Sequence, residues 1–329
     1  GLAHVRVRGL MGMASAPEGP DASGRARQQF ATLRSLRERL AMELPAAKGL
    51  FEQLGFMLTP MGRHTMGSIN HLMVFGDDYI EVIGLPADGT VGRSELLEGP
   101  VGMDGLVFKT NDADKTHARL DAAREPLLPV QSFSRPVELD GRMIDAKFRT
   151  VRFESARFSA GRVYFCQHFT PELVWRKAWQ THACGANGIA ALLIVSTQPQ
   201  ADARQYALVA GGVARRGAHG EFRIDGAGYS LVVVSPQDYR ACFGALACAA
   251  HGRSSFFGAI ALRVESLAPL RRILQDLESE PLEESGSSRR VHPSPHDAEY
   301  VFRDREDRIA VSIPGVGTLL EFIETPAAA

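Results

Sequence analysis

Apolar and polar positions alternate over three separated stretches of the chain, and each alternating run is followed by an apolar stripe at three- and four-residue spacing. The stretches are DGLVFKTNDADKTHARLDA (Asp104–Ala122), GIAALLIVSTQPQADARQYALVA (Gly188–Ala210) and GAIALRVESLAPLRRILQDL (Gly258–Leu277). Period two over about six residues predicts a half-buried strand, and period 3.6 predicts an amphipathic helix. In the last stretch Leu267, Leu270, Ile273, Leu274 and Leu277 fall on one helical face. Further strands follow: AEYVFRD, RIAVSIP and TLLEFIE come after Leu277. The unit is therefore βαβββ, and its recurrence is the main signal in the chain.

A less regular copy opens the sequence. LPAAKGLFEQLGFMLTP (Leu44–Pro60) reads as a helix closed by Gly55, then a strand. INHLMVFG and YIEVIGL read as two strands joined by Gly76-Asp77-Asp78. Four modules result, at roughly 1–95, 100–180, 186–240 and 256–326. An α+β fold is predicted, with two paired-module domains at 1–182 and 186–326. An inserted Pro/Gly-rich loop and helix occupy about 12–43; Phe30, Leu33, Leu40 and Leu44 make the apolar stripe of that helix, over 26–44, and Arg27, Arg34 and Arg39 lie elsewhere on it. HGRSSFFG (His251–Gly258) reads as a linker, and Glu278–Pro295 as a mobile loop.

Composition narrows the class. Apolar residues are 45% of the 329, charged residues 23%, and the net charge is -1, so nothing draws the chain toward nucleic acid or membrane. Four cysteines without a CxxC pair suit a reduced, cytoplasmic protein. No run approaches the roughly 18 apolar residues of a membrane helix. There is no GxGxxG after a strand, no GxxxxGK[ST], no HExxH and no GxSxG, which removes the usual dinucleotide, P-loop, zincin and hydrolase signatures.

The runs LPAAKGLFEQLGF, INHLMVFGDDYIEVIGL and YFCQHFTPELVW resemble the glyoxalase-like branch of the vicinal-oxygen-chelate superfamily, clearly over Leu44–Trp179. The resemblance implies curved mixed sheets, each made by two modules and enclosing a cleft. It also implies a site on inward positions of first and last strands, where three His or carboxylate ligands hold a divalent metal (Zn, Ni, Fe or Mn) that chelates two vicinal oxygens. Carried onto this chain, Glu81 falls in the carboxylate slot and His4 could supply the first-strand histidine. His168 lies near the end of the last strand of module two, a residue or two off that register. Glu81 and His168 are the expected catalytic groups, with His4, Glu81 and His168 as metal ligands and Asn70 and His71 lining the cleft. Asp104 is a weaker ligand candidate. Modules three and four offer only Glu321, which disfavours a ring-cleaving dioxygenase with its iron there.

Each residue also has a plainer reading. Glu81 is as readily a solvent-facing strand carboxylate, His71 a hydrogen-bonded surface histidine, His168 a residue fixing the Thr170-Pro171 turn, and Cys166 a small core residue. Two functions stay open. One is a metal-assisted lyase or isomerase acting on a small carbonyl or vicinal-oxygen compound. The other is a metal-free binding protein that sequesters a small molecule, as bleomycin-resistance proteins do. Pairing of modules between chains as a homodimer is also compatible with the repeat.

Overall fold

A computed structural model describes residues 4–8, 44, 46–86, 96, 102–139, 141–279 and 300–325. The predicted helix over 26–44 (except Leu44) and most of the loop 278–295 lie outside the described residues. Among those described, no helix is long and apolar enough to cross a membrane.

The first part of the chain gives β1 (His4–Arg8), helix α1 over 46–53, β2 (Gly62–Arg63), β3 (Ile69–Phe75) and β4 (Asp78–Gly84). It continues with β5 (Gly102–Lys109), α2 (Ala113–Ala122), β6 (Gln131–Leu139), β7 (Arg142–Arg152) and β8 (Arg162–His168). The second part gives β9 (Ala186–Ser196), α3 (Pro199–Ala210), β10 (Arg215–Arg216), β11 (Phe222–Gly226), β12 (Tyr229–Val234) and α4 (Pro236–Phe243). The chain ends with β13 (Ser255–Val264), α5 (Ala268–Ser279), β14 (Val301–Asp304), β15 (Arg308–Ile313) and β16 (Thr318–Glu324).

These strands form two eight-stranded sheets of identical plan, β2-β3-β4-β1-β5-β8-β7-β6 and β10-β11-β12-β9-β13-β16-β15-β14. At the middle of each, two first strands run antiparallel, β1 with β5 and β9 with β13, and each pairs in parallel with the last strand of its own module. Both are curled mixed sheets of the α+β class.

Local chemistry explains the boundaries. Gly55 closes α1 at φ +83, a conformation that penalises any Cβ. A two-residue turn, Gly76-Asp77, joins β3 to β4, one residue shorter than the predicted turn. Asp78 already belongs to β4, where it pairs with Phe75, and its buried carboxylate accepts the Ile189 N–H at 3.2 Å from the second sheet. The predicted linker 251–258 is likewise shortened: β13 begins at Ser255, where Phe256 and Phe257 are buried. Helix α4 has no counterpart in the predicted modules. Ser235 caps it by accepting the Asp238 N–H, and Pro236 suits its first turn.

One apolar core joins the two sheets. Met73, Ile80 and Leu106 of the first pack with Ile194, Leu262 and Phe322 of the second, and α1, α2, α3 and α5 add Phe51, Leu120, Tyr206 and Leu270. The opposite face of each sheet carries a smaller cluster of its own, around Val74, Tyr79 and Phe148 in the first and around Val195, Val234 and Phe256 in the second. The side-chain period of two sorts these faces. Two clefts result, each on the side of its sheet turned away from the shared core.

Candidate functional site

In the first sheet the outer strands meet. The Thr65 N–H donates to Ser134 O at 2.9 Å, and the Ser134 N–H donates to Thr65 Oγ1 at 3.1 Å, which draws the ends of β2 and β6 together. Eight strands curled so far leave an interior that side chains nearly fill. The cavity that remains is about 10 Å³, room for about one water molecule. Leu173, Val174 and Trp175, from the turns after β8, pack into the same cluster, and Val174 lines the cavity.

Around this space runs a chain of buried polar groups. Asn70 Nδ2 donates to Glu81 Oε1 at 2.8 Å, and Arg135 Nη1 donates to Asn70 Oδ1 at 3.3 Å. His64 Nε2 lies 3.9 Å from Glu81 Oε1, and its Nδ1 is 2.8 Å from Ser68 Oγ. Glu81 is 1% exposed and Arg135 3%. Burial pulls the Arg135 guanidinium below its ordinary pKa, while the Glu81 charge opposes that shift. Tyr79, Tyr164 and Cys166 complete the polar wall.

A glycine makes this arrangement possible. A Cβ on Gly62 would stand 2.5 Å from Arg135 Cδ, and closer still to Asn70 Oδ1. Gly62→Ala is therefore expected to push Arg135 and Asn70 apart and cost about 1–3 kcal/mol of stability, measured by urea denaturation.

The structure distributes the sequence-predicted residues as follows. Glu81 lies on the cleft face of β4, opposite Leu72, and Asn70 lies on the same face of β3. His71 is on the other face of β3. Its Nδ1 lies 2.7 Å from Thr59 O, and Lys48 and Glu52 of α1 act on its charge, so it belongs to the shared-core side rather than the cleft. His168 ends β8 and packs edge-on against Tyr79, Phe148 and Trp175, with Nε2 3.5 Å from the Tyr79 hydroxyl. Burial, assisted by the Lys109 charge, lowers its pKa to about 3. His168 thus touches Tyr79 of the cavity wall without itself lining the cavity. β1 runs between β4 and β5; its register sets His4 beside Tyr79 and Arg6 beside Glu81, and its side chains lie outside the described residues. Asp104 is held by Arg162 at 2.7 Å, and Glu321 by Arg308 at 3.4 Å.

Among the described residues, no group of three or more His, Cys, Asp or Glu is placed to hold a metal ion. Among the described residues His64 is the histidine beside Glu81, and the Arg135 guanidinium brings a positive charge that opposes a divalent cation. Without the His4 side chain, which lies outside the described residues, the described donors do not by themselves make the metal centre expected from the sequence.

Sequence reasoning missed Arg135, His64 and His182. Arg135 left a readable trace, since it interrupts the inward stripe Phe133, Arg135, Val137 of an alternating strand. His64 left no motif; it follows β2, whose pairing with β3 carries it toward Glu81. His182, in the connection to the second sheet, accepts the Met57 N–H at Nδ1 (3.0 Å), and its Nε2 faces Val74 O at 2.9 Å. Its role is structural.

The family model for the glyoxalase-like domain matches residues 40–209, just over half of the 329-residue chain. No curated protein matches. Among solved structures, a hypothetical protein from Staphylococcus aureus is similar at 10% identity and TM-score 0.54, over 83% of this chain and 91% of that one. A xylose isomerase-like TIM barrel/4-hydroxyphenylpyruvate dioxygenase fusion protein is similar at 12% identity and TM-score 0.50, over 96% of this chain but 58% of the fusion. At such identities the likeness is one of fold. With two curled mixed sheets in place and the matched segment covering the first of them from β2 to β8 and the start of the second, the chain belongs to the glyoxalase-like domain family of the vicinal-oxygen-chelate superfamily.

Proposed function

We propose that the protein binds a small carbonyl or vicinal-oxygen compound in the N-terminal cleft, through hydrogen bonds from its own side chains rather than through a metal. The buried chain Arg135–Asn70–Glu81–His64 carries this reading. Charged groups are costly to bury, and here they are gathered at the end of one cleft, where donors and an acceptor converge. Asn70 and Arg135 would donate to the ligand's oxygens, and Glu81 would accept from its hydroxyl or enol. His168, kept neutral by burial, acts as a positioning residue through the Tyr79 hydroxyl. The ligand enters once Leu173–Trp175 swings out of the mouth.

A second reading has an observation of its own. His64 beside the Glu81 carboxylate, in a water-poor site, is suited to passing on a proton that Glu81 takes from a carbon next to a carbonyl. That would make the protein a lyase or isomerase working by proton transfer.

Both tryptophans of the chain, Trp175 and Trp179, pack at this cleft, so their fluorescence reports its opening. Titration with pyruvate, diacetyl and catechol is expected to give a saturable change with at least one compound. The change should persist in EDTA and weaken at least tenfold in Glu81→Gln. Binding that appears only after a divalent metal is added, or that ignores Glu81→Gln, would overturn the proposal.

A further inference from the structure

The cleft of the second sheet is unlike that of the first. Its cavity is about 530 Å³, within the range of small-molecule sites. Among the described residues, no hydrogen bond ties β10 to β14 as Thr65 ties to Ser134 in the first sheet, so this sheet stays open. Leu193, Val232, Val234 and Ala310 make an aliphatic floor, and Tyr239 and Phe243 of α4 form a wall. The site lies almost wholly beyond the stretch matched by the family model.

Its charges are unevenly spent. Three carboxylates face the cavity, and each is engaged: Glu321 with Arg308 at 3.4 Å, Asp238 with the Ser235 hydroxyl at 2.6 Å, and Glu221 with the His219 N–H at 3.0 Å. Of the arginines at the mouth, Arg303 donates to Cys242 O and Phe243 O at 2.8 and 2.6 Å, and Arg223 donates to Ser230 Oγ at 3.1 Å. Arg305 is exposed at the same mouth, and among the described residues its guanidinium makes no hydrogen bond or ion pair. The cavity therefore combines an apolar floor, carboxylates already hydrogen-bonded or ion-paired, and the Arg305 guanidinium, which among the described residues makes no hydrogen bond or ion pair and whose charge also reaches Asp307.

We infer that the C-terminal cleft is a second ligand site, for an organic anion with a flat apolar body, whose carboxylate or sulfonate pairs with Arg305 while the body lies on the floor made by Val232 and Val234. A guanidinium offers a planar two-pronged donor to such a head group. The inference is independent of the N-terminal reading.

The chain supplies its own reporter. Cys242 lines the cavity and is exposed, whereas Cys166 and Cys184 are buried and Cys248 is half-buried. With 8-anilinonaphthalene-1-sulfonate as the probe, folded wild-type protein is expected to bind saturably and to slow bimane labelling of Cys242 at least fivefold. Arg305→Glu should weaken that probe at least tenfold and leave neutral N-phenyl-1-naphthylamine within twofold. Val232→Trp, which fills the floor, should weaken both. Unchanged Cys242 labelling at saturating probe, or equal affinity for the sulfonate in Arg305→Glu, would overturn the inference; the labelling arm needs no variant to fold.

Discussion

Arg135→Met is expected to destabilise the protein by about 3–5 kcal/mol, the cost of breaking a buried charge arrangement by removing one member. The guanidinium reaches Glu81 through Asn70, and all three side chains are buried. Without Arg135 the Glu81 carboxylate keeps its desolvation cost and loses a stabilising positive charge, while Asn70 Oδ1 loses a donor. Methionine roughly preserves the volume, so packing alone should account for little of the loss. Urea unfolding of the single variants Arg135→Met and Glu81→Gln and of the double variant separates the terms. The double variant should recover at least about 1 kcal/mol relative to the sum of the singles, because a neutral amide at 81 no longer needs the guanidinium. Simple additivity would mean that Arg135 acts through packing, and the polar chain would lose its electrostatic basis.

Arg135 also shows where sequence reasoning stops. Helix faces and turns follow from local chemistry, so the stripe of Leu270 and Leu274 on α5 with Leu267 just before it, the cap at Gly55 and the β3–β4 hairpin could be read directly. The face on which Glu81 lies follows from strand parity together with the family resemblance. His71 shows the limit of parity used without care: next to Asn70 in a strand, it must point the other way, and it does. What the pattern could not supply is contact between distant segments. Arg135 meets Asn70 because β6 returns to β2, and Gly62 is a glycine because that guanidinium arrives from residues far along the chain. The contrast between the clefts is equally non-local. One sheet is closed at its edges and packed by Leu173–Trp175, while the other is open and walled by α4, which no repeat pattern announced.

Acid should weaken the fold well before its carboxylates titrate. Burial holds His71, His168 and His182 below the ordinary histidine pKa of 6.5, His168 at about 3 with the Lys109 charge contributing. For a group whose folded pKa is depressed, the unfolded chain binds the proton first, so its contribution is complete above pH 6.5 and is lost as pH falls toward the folded value. Each such histidine removes about 1.4 kcal/mol per pH unit inside that window. For His168 the window runs from 6.5 down to about 3, which makes its loss about 2–3 kcal/mol by pH 4.5. Asp78, whose pKa burial raises, acts in the opposite direction and only at the acid end, above the ordinary carboxylate value of 3.8. Hydrogen bonding at His182 gives the same sign. Nδ1 accepts the Met57 N–H, so a proton there would set two donors against each other. Urea midpoints between pH 7.5 and 4.5 should therefore fall steeply below 6.5. His182→Gln can keep an acceptor for Met57 and a donor for Val74 O, and His168→Phe keeps the packing against Tyr79, Phe148 and Trp175. Each should flatten the acid limb by up to one proton. A limb of unchanged slope in both variants would show that these histidines do not set the acid sensitivity.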